Sequence, residues 1–114
     1  MWRKLLDEMV KGERMTFVID EALKAHMEHT GKRNIVVEVV TAETSDIEIT
    51  ELHVYLTDDK QAKILKERKR YRGQEIDGGE VLLPPFPLQY EEEVRFWLKK
   101  AWIFKMVGYA GVKV

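Results

Sequence analysis

Two histidines, three residues apart, are the first residues of this chain that suggest chemistry. His26 and His29 lie in a stretch with helical spacing, so their rings share one face and offer two of the ligands that a zinc ion needs. A third ligand would come from His53 or Glu28. Because the chain has no H-E-x-x-H motif and this spacing is common in helices, two partly exposed histidines are the simpler interpretation.

Carboxylates on predicted strands are a second candidate. Glu38, Glu48 and Glu51, together with His53, are groups suited to acid–base catalysis or to metal-dependent hydrolysis. Ion pairing with basic neighbours explains the same carboxylates without catalysis. The chain has no serine nucleophile elbow, and its Gly78-Gly79 pair lacks the lysine of a phosphate-binding loop. We therefore expect no catalytic residues and no cofactor.

Basic residues are the third candidate. Seven of them, against two acidic residues, lie between Asp59 and Arg72. Rows of Lys and Arg bind a phosphate backbone, and a tyrosine among them can stack on a base. The residues of this predicted nucleic-acid contact are Lys63, Lys66, Lys69, Arg70, Tyr71 and Arg72. The alternative is a solvated helix face that balances the acidic segment before it.

That acidic segment, Asn34 to Thr57, is predicted to form two strands joined by a turn over residues 43–46. It carries five carboxylates and no Lys or Arg, so its net charge of −5 precedes a net charge of +5 over 59–72. We expect the two segments to pair electrostatically, within one chain or between chains. The apolar alternation changes phase between Ile49 and Leu52. A β-bulge near Thr50 and Glu51 would restore the pattern, and a plain strand twist or a break is equally allowed.

Four helices are predicted from apolar spacing and cap residues. The first, amphipathic, covers residues 2–11, and the second covers 20–30, between an Asp20 N-cap and Gly31. The basic helix covers 59–71, and the last helix covers 90–107. Met15 to Ile19 fits a short strand as well as a helical turn. Asp77-Gly78-Gly79 predicts the turn of a small hairpin.

The predicted last helix has a second apolar face that a small domain leaves without an internal partner. Phe96, Ile103 and Val107 form this face, so we expect them at an interface between copies of the chain.

Length and composition indicate one domain, 1–114, of an ordinary soluble kind. The chain has 114 residues, 45% hydrophobic and 34% charged, with a net charge of −1. It has no cysteine, no signal peptide and no apolar run long enough for a membrane span, which favours a cytoplasmic location. Abundant Glu, Lys and Arg with a single Asn is typical of thermophiles.

The predicted fold is α+β: a small, mainly antiparallel sheet centred on the 34–57 hairpin, covered by helices near 20–30 and 90–107, with the basic helix near 59–71 at the side. The predicted function is a non-enzymatic intracellular binding or interaction domain, homo-oligomeric, contacting a polyanion through 59–72. Two alternatives stay open. One is a nucleic-acid-binding protein that uses Lys63, Lys66 and Arg70. The other is a small hydrolase or metal-dependent enzyme that uses the strand carboxylates and His53.

Overall fold

The computed structural model describes residues 15–114, so the helix predicted over 2–11 lies outside the described residues. The described chain is mostly sheet, with two helices and seven strands. The strands are β1 (Thr16–Ile19), β2 (Asn34–Thr44), β3 (Ile47–Thr57), β4 (Arg72–Ile76), β5 (Gly79–Leu83), β6 (Gln89–Ala101) and β7 (Phe104–Lys113). The helices are α1 (Glu21–Thr30) and α2 (Asp59–Arg68).

The strands form two sheets where one was predicted. The first has the order β1-β6-β7 and the second has the order β3-β2-β5-β4. Three of the five strand pairings are antiparallel, while β1 with β6 and β2 with β5 are parallel. The prediction of a mainly antiparallel α+β fold is therefore confirmed in its coarse form. Within residues 15–114, no helix is long and apolar enough to cross a membrane.

Helix α1 forms where its cap residues predict it. The Asp20 carboxylate accepts a hydrogen bond from the Leu23 backbone N–H at 2.7 Å, which satisfies one of the free donors of the first turn. Gly31 ends the helix with φ of 72°, a left-handed conformation that glycine adopts without steric cost. Leu23 and Met27 face the core from this helix.

The predicted hairpin is present, with eleven paired positions from Asn34 opposite Thr57 to Thr44 opposite Ile47. This register has no interruption, so of the alternatives left open near Thr50 and Glu51 neither a β-bulge nor a break is present. The apolar phase changes there because the hairpin leaves the body of the protein. Residues 41–49 are all exposed, and no core demands that their apolar side chains alternate.

Among residues 15–114, the core consists of two clusters on opposite faces of the β2–β5 pair. Ile35, Val37 and Val81 belong to the larger cluster, which also contains α1 and the inner face of β6. Val36 and Leu82 belong to the smaller cluster, under α2. β2 has apolar side chains on both faces because each face lies against one of these clusters, and β2 is an interior strand of its sheet, as predicted.

Helix α2 is shorter than predicted. It begins after the N-cap Asp58 and ends at Arg68, whereas the prediction extended it to residue 71. Arg70 adopts φ of 57°, which ends helical geometry, and Tyr71 then packs against the smaller core cluster. The turn at Asp77-Gly78 joins β4 to β5, and this confirms the small predicted hairpin.

The largest correction concerns residues 90–107, which were predicted to be helical. They belong to β6 and β7, an antiparallel hairpin that turns at Trp102 and Ile103. Val94, Phe96 and Leu98 alternate toward the core with the period of a strand. The pairing register shifts between Tyr90 and Arg95, and this irregularity interrupts the strand period in the sequence.

Candidate anion-binding groove

One groove in the described structure has a volume of about 750 Å³. Two strands that lie at the edges of their sheets contribute to it, with residues 53–56 of β3 and residues 105–109 of β7. The second half of α1 adds His26 and Thr30, and β6 adds residues 97–99. Volumes of this size are typical of sites for small organic ligands.

The groove is electropositive. Lys32, Lys99 and Lys105 line it together with His26 and His53, and no Asp or Glu is among the described residues that line it. The pKa of His26 is lowered first by burial and then by the positive charges of Lys105, His29 and Lys32. The same charges that resist protonation of His26 favour a bound anion.

Aromatic side chains add flat surfaces to the groove. Trp97, Tyr55 and Tyr109 all line it. Trp97 lies opposite Gly108 in the hairpin register, and a Cβ at Gly108 would collide with the indole ring. Glycine at this position therefore allows the ring to lie against the neighbouring strand. An aromatic surface of this kind can stack on a planar group of a ligand. Lysine side chains alone would not favour a planar ligand over another anion.

The predicted metal candidates do not form a cluster. His26 lines the groove and His29 is exposed at the surface of α1. Within residues 15–114, no group of three His, Asp or Glu side chains is close enough to hold a metal ion.

The strand carboxylates are divided between the two faces of the second sheet. Glu51 and His53 share a face because they are two residues apart, and Glu38 lies directly opposite His53. His53 Nε2 lies 3.5 Å from Glu51 Oε2. Glu48 has the opposite parity and projects from the other face. The structure therefore brings together Glu38, Glu51 and His53, but not Glu48.

The residues predicted to bind nucleic acid occupy three different settings. Lys63 is exposed on α2, whereas Lys66 binds Glu80 at 2.8 Å. Lys69 and Arg70 follow the helix and are exposed, and Arg72 begins β4. Tyr71 is half-buried against the smaller core cluster, with its pKa raised first by burial and then by Glu38. The predicted single stripe through Lys63, Lys66 and Arg70 is thus interrupted.

The predicted interface residues are also separated. Phe96 is fully buried in the larger core cluster, where its ring stacks on Phe17 with centroids 5.9 Å apart. Val107 is half-buried, and Ile103 is exposed at the turn between β6 and β7. Their common face followed from a helix that does not exist. An interface between copies of the chain stays a prediction.

The acidic hairpin and the basic helix do not form ion pairs with each other within residues 15–114. The cations that do pair there contact Glu21, Asp77, Asp59, Glu51, Glu80 and Glu93. Of these, Glu51 alone belongs to the hairpin, and its partner His53 belongs to it too. The electrostatic match predicted between the two segments is therefore absent within the described chain.

The sequence did not identify the groove. Lys32, Lys99, Lys105 and Trp97 were not among the predicted site residues. Lys99 and Lys105 carry a signal, since they flank an aromatic run in a chain region with few acids, but only the folded structure shows that both line one groove.

A scan against protein-family models finds no match for this chain, and a search of curated proteins finds none. Among solved structures, the chain is similar to Escherichia coli SufA, described as involved in biosynthesis of iron–sulfur clusters. The identity is 12%, the TM-score is 0.43, and the match covers 83% of this chain and 79% of SufA.

Proposed function

We propose that this protein is a binding domain for a phosphate-bearing ligand with a planar ring, of mononucleotide size. The observation that carries the proposal is the groove between β3 and β7, which is lined by three lysines and three aromatic rings and, in the described chain, by no carboxylate. This proposal keeps the predicted class, a non-enzymatic binding domain that recognises an anion, and moves the recognition site from α2 to the groove.

The two halves of such a ligand match two kinds of side chain. Lysine ammonium groups hold a phosphate group as compact charges, and the surrounding protein strengthens their attraction relative to bulk water. A planar ring stacks on the indole of Trp97, with a gain of about 1–3 kcal/mol per stacked base in known single-strand complexes. A ligand that offers both groups is expected to bind more tightly than one that offers either.

Calorimetric titration with three probes tests the proposal. ADP offers phosphate and ring, adenosine offers the ring alone, and inorganic pyrophosphate offers the phosphates alone. We expect ADP to bind with the highest affinity and its affinity to fall with added salt, because the charge contribution is screened. Equal affinity for ADP and adenosine would show that the phosphates, and therefore the groove lysines, do not contribute to binding.

The variant Lys32→Ala/Lys105→Ala removes two groove cations and is expected to weaken ADP binding at least about tenfold, equivalent to about 1.4 kcal/mol. The matched control is Lys63→Ala/Lys113→Ala, which removes two exposed lysines that do not line the groove. If both variants bind ADP like the parent protein, or if ADP does not bind at millimolar concentration, the groove is not the site.

A contact between α2 and a polyanion is the second candidate function. The supporting observation is that Lys63, Lys69 and Arg70 are exposed and form no ion pair within residues 15–114. Lys66 is omitted from the test because Glu80 already holds it.

Fluorescence anisotropy with a ten-nucleotide oligo-dT distinguishes the two surfaces. Binding through α2 predicts that Lys63→Glu/Lys69→Glu/Arg70→Glu abolishes the complex, because each reversal replaces an attraction to phosphate by a repulsion. Lys32→Glu/Lys99→Glu/Lys105→Glu is the matched reversal in the groove. An unchanged affinity in the first variant contradicts a role of α2.

A further inference from the structure

Each of the two long hairpins ends in an exposed arm with a pair of like charges. The acidic arm is residues 41–50 at the tip of β2–β3, and the basic arm is residues 99–106 at the tip of β6–β7. In the acidic arm, Glu43 lies directly opposite Glu48, one pair before the turn-closing pair. In the basic arm, Lys100 lies directly opposite Lys105 at the equivalent position.

The other face of each arm carries exposed apolar side chains. In the acidic arm this face carries Ile47 and Ile49, which are 60% and 43% exposed. In the basic arm it carries Phe104, 65% exposed, and Met106, which lies directly opposite Lys99. The turn of the basic arm adds Trp102 and Ile103, which are 96% and 78% exposed. Contiguous apolar surface of this kind, rimmed by charge, is typical of interaction sites.

The like-charge pairs are unfavourable within one chain. Charges of one sign that face each other across an antiparallel pair destabilise the hairpin. Within residues 15–114, none of Glu43, Glu48, Lys100 and Lys105 has an ion-pair partner that would offset this repulsion. The charges are opposite in sign between the two arms, and each pair occupies the same position relative to its turn. Each arm therefore carries the opposite charges that the other arm could pair with.

We propose that the acidic arm of one copy of the chain binds the basic arm of a second copy. A two-fold arrangement makes this contact twice, because each copy offers one arm of each sign. Each contact sets two carboxylates against two ammonium groups, through the charged faces of the two arms. The occupant is a second copy because it satisfies both arms, whereas an anionic lipid surface would attract the basic arm and repel the acidic one.

Charge reversal tests this pairing by light scattering at low salt. The variant Glu43→Lys/Glu48→Lys has two basic arms, and the variant Lys100→Glu/Lys105→Glu has two acidic arms. The parent protein is expected to have the mass of a dimer, and each variant alone the mass of a monomer. An equimolar mixture of the two variants is expected to recover the dimer mass, since every contact in the mixed pair again joins opposite charges.

The quadruple variant Glu43→Lys/Glu48→Lys/Lys100→Glu/Lys105→Glu exchanges the two signs and is expected to self-associate. Circular dichroism shows whether each double variant is folded. If either one folds poorly, the quadruple variant still tests the pairing. A monomeric parent protein at tens of micromolar, or double variants that stay dimeric, would overturn the proposal. So would a monomeric parent protein that sediments with vesicles containing phosphatidylserine, because a lipid surface would then be the partner of the basic arm.

Discussion

The environment of Tyr55 in the folded chain predicts that the free energy of unfolding depends on pH. Burial, followed by the negative charge of Glu38, raises its pKa from 10.0 to about 12. In the unfolded chain the phenol loses its proton near pH 10, while the folded chain keeps that proton until about pH 12. The folded state therefore binds more protons in this window, and the free energy of unfolding falls as the pH rises through it.

The variant Tyr55→Phe tests this sign. We expect its free energy of unfolding, measured by urea denaturation, to fall less between about pH 9 and about pH 11 than that of the parent protein. Tyr109→Phe is the control for loss of a hydroxyl on β7. Equal slopes for the parent protein and Tyr55→Phe would show that Tyr55 does not contribute.

Asn34, the single asparagine of the chain, connects β2, β3 and α2 through its side-chain hydrogen bonds. Its buried side-chain amide donates to the Thr57 carbonyl at 3.3 Å and to Asp59 Oδ1 at 3.0 Å. This second bond is the main cause of the lowered pKa of Asp59, ahead of Arg33. The amide thus connects the start of β2 to the end of β3 and to the first turn of α2.

We expect Asn34→Ala to lower the free energy of unfolding by about 1–2 kcal/mol, because the Thr57 carbonyl loses its side-chain donor. The same variant is expected to raise the pKa of Asp59 toward its ordinary value, as followed by NMR titration. Arg33→Ala is the control, since it removes an exposed partner of Asp59 and leaves the buried amide in place. A pKa of Asp59 unchanged by Asn34→Ala would assign the shift to Arg33.

Elements with signals at both ends were predictable from the sequence. Asp20 and Gly31 delimit α1, and the alternation from Ile35 to Leu56 indicates the first hairpin. The β6–β7 hairpin was not predictable in the same way, for two physical reasons. The irregularity between Tyr90 and Arg95 disturbs the period of two, and the Trp102-Ile103 turn lacks the Gly or Asn that marks a tight hairpin turn.

Trp97 of β6 lines the groove and packs closely against Gly108 of β7. A Cβ at Gly108 would collide with the indole. We therefore expect Gly108→Ala to lower the free energy of unfolding by about 1–3 kcal/mol through overpacking. It should also weaken ADP binding, because the ring is displaced. Both effects are measured on one sample, by denaturation and by calorimetry.

Gly73→Ala is the matched control for Gly108→Ala. The atoms nearest to its added Cβ belong to the Glu80 carboxylate, the end of a flexible side chain that can turn aside by loosening its ion pair with Lys66. A smaller loss of stability and unchanged ADP binding are expected for this control. If the two variants behave alike, the packing between Trp97 and Gly108 has no special role in the groove.

At the scale of the whole molecule, the arms extend beyond a compact body. The Cα radius of gyration is 15.3 Å, compared with about 13 Å for a compact domain of 100 residues. From the sequence, the basic segment at α2 was predicted to pair with the acidic hairpin, because the two segments are adjacent along the chain. The groove depends on two sheet edges that meet only in the folded chain, so no local pattern contains it.

Lys105 belongs both to the proposed groove and to the basic arm, so ligand binding and association are expected to be coupled. A phosphate bound at the groove lysines offsets their positive charge and brings negative charge toward the partner's acidic arm. ADP should therefore raise the dissociation constant of the dimer. Because such coupling is reciprocal, dimerisation should lower the affinity for ADP by the same factor.

Sedimentation equilibrium at several ADP concentrations measures this coupling. Adenosine is the control ligand, since it carries the same ring without charge and is expected to leave the dimer unchanged. The factor by which saturating ADP changes the dimer dissociation constant should equal the ratio of the ADP affinities of the monomer and the dimer. A dimer constant that ADP does not change would separate the two sites, even where each proposal holds alone. Lys105 would then act at one site only.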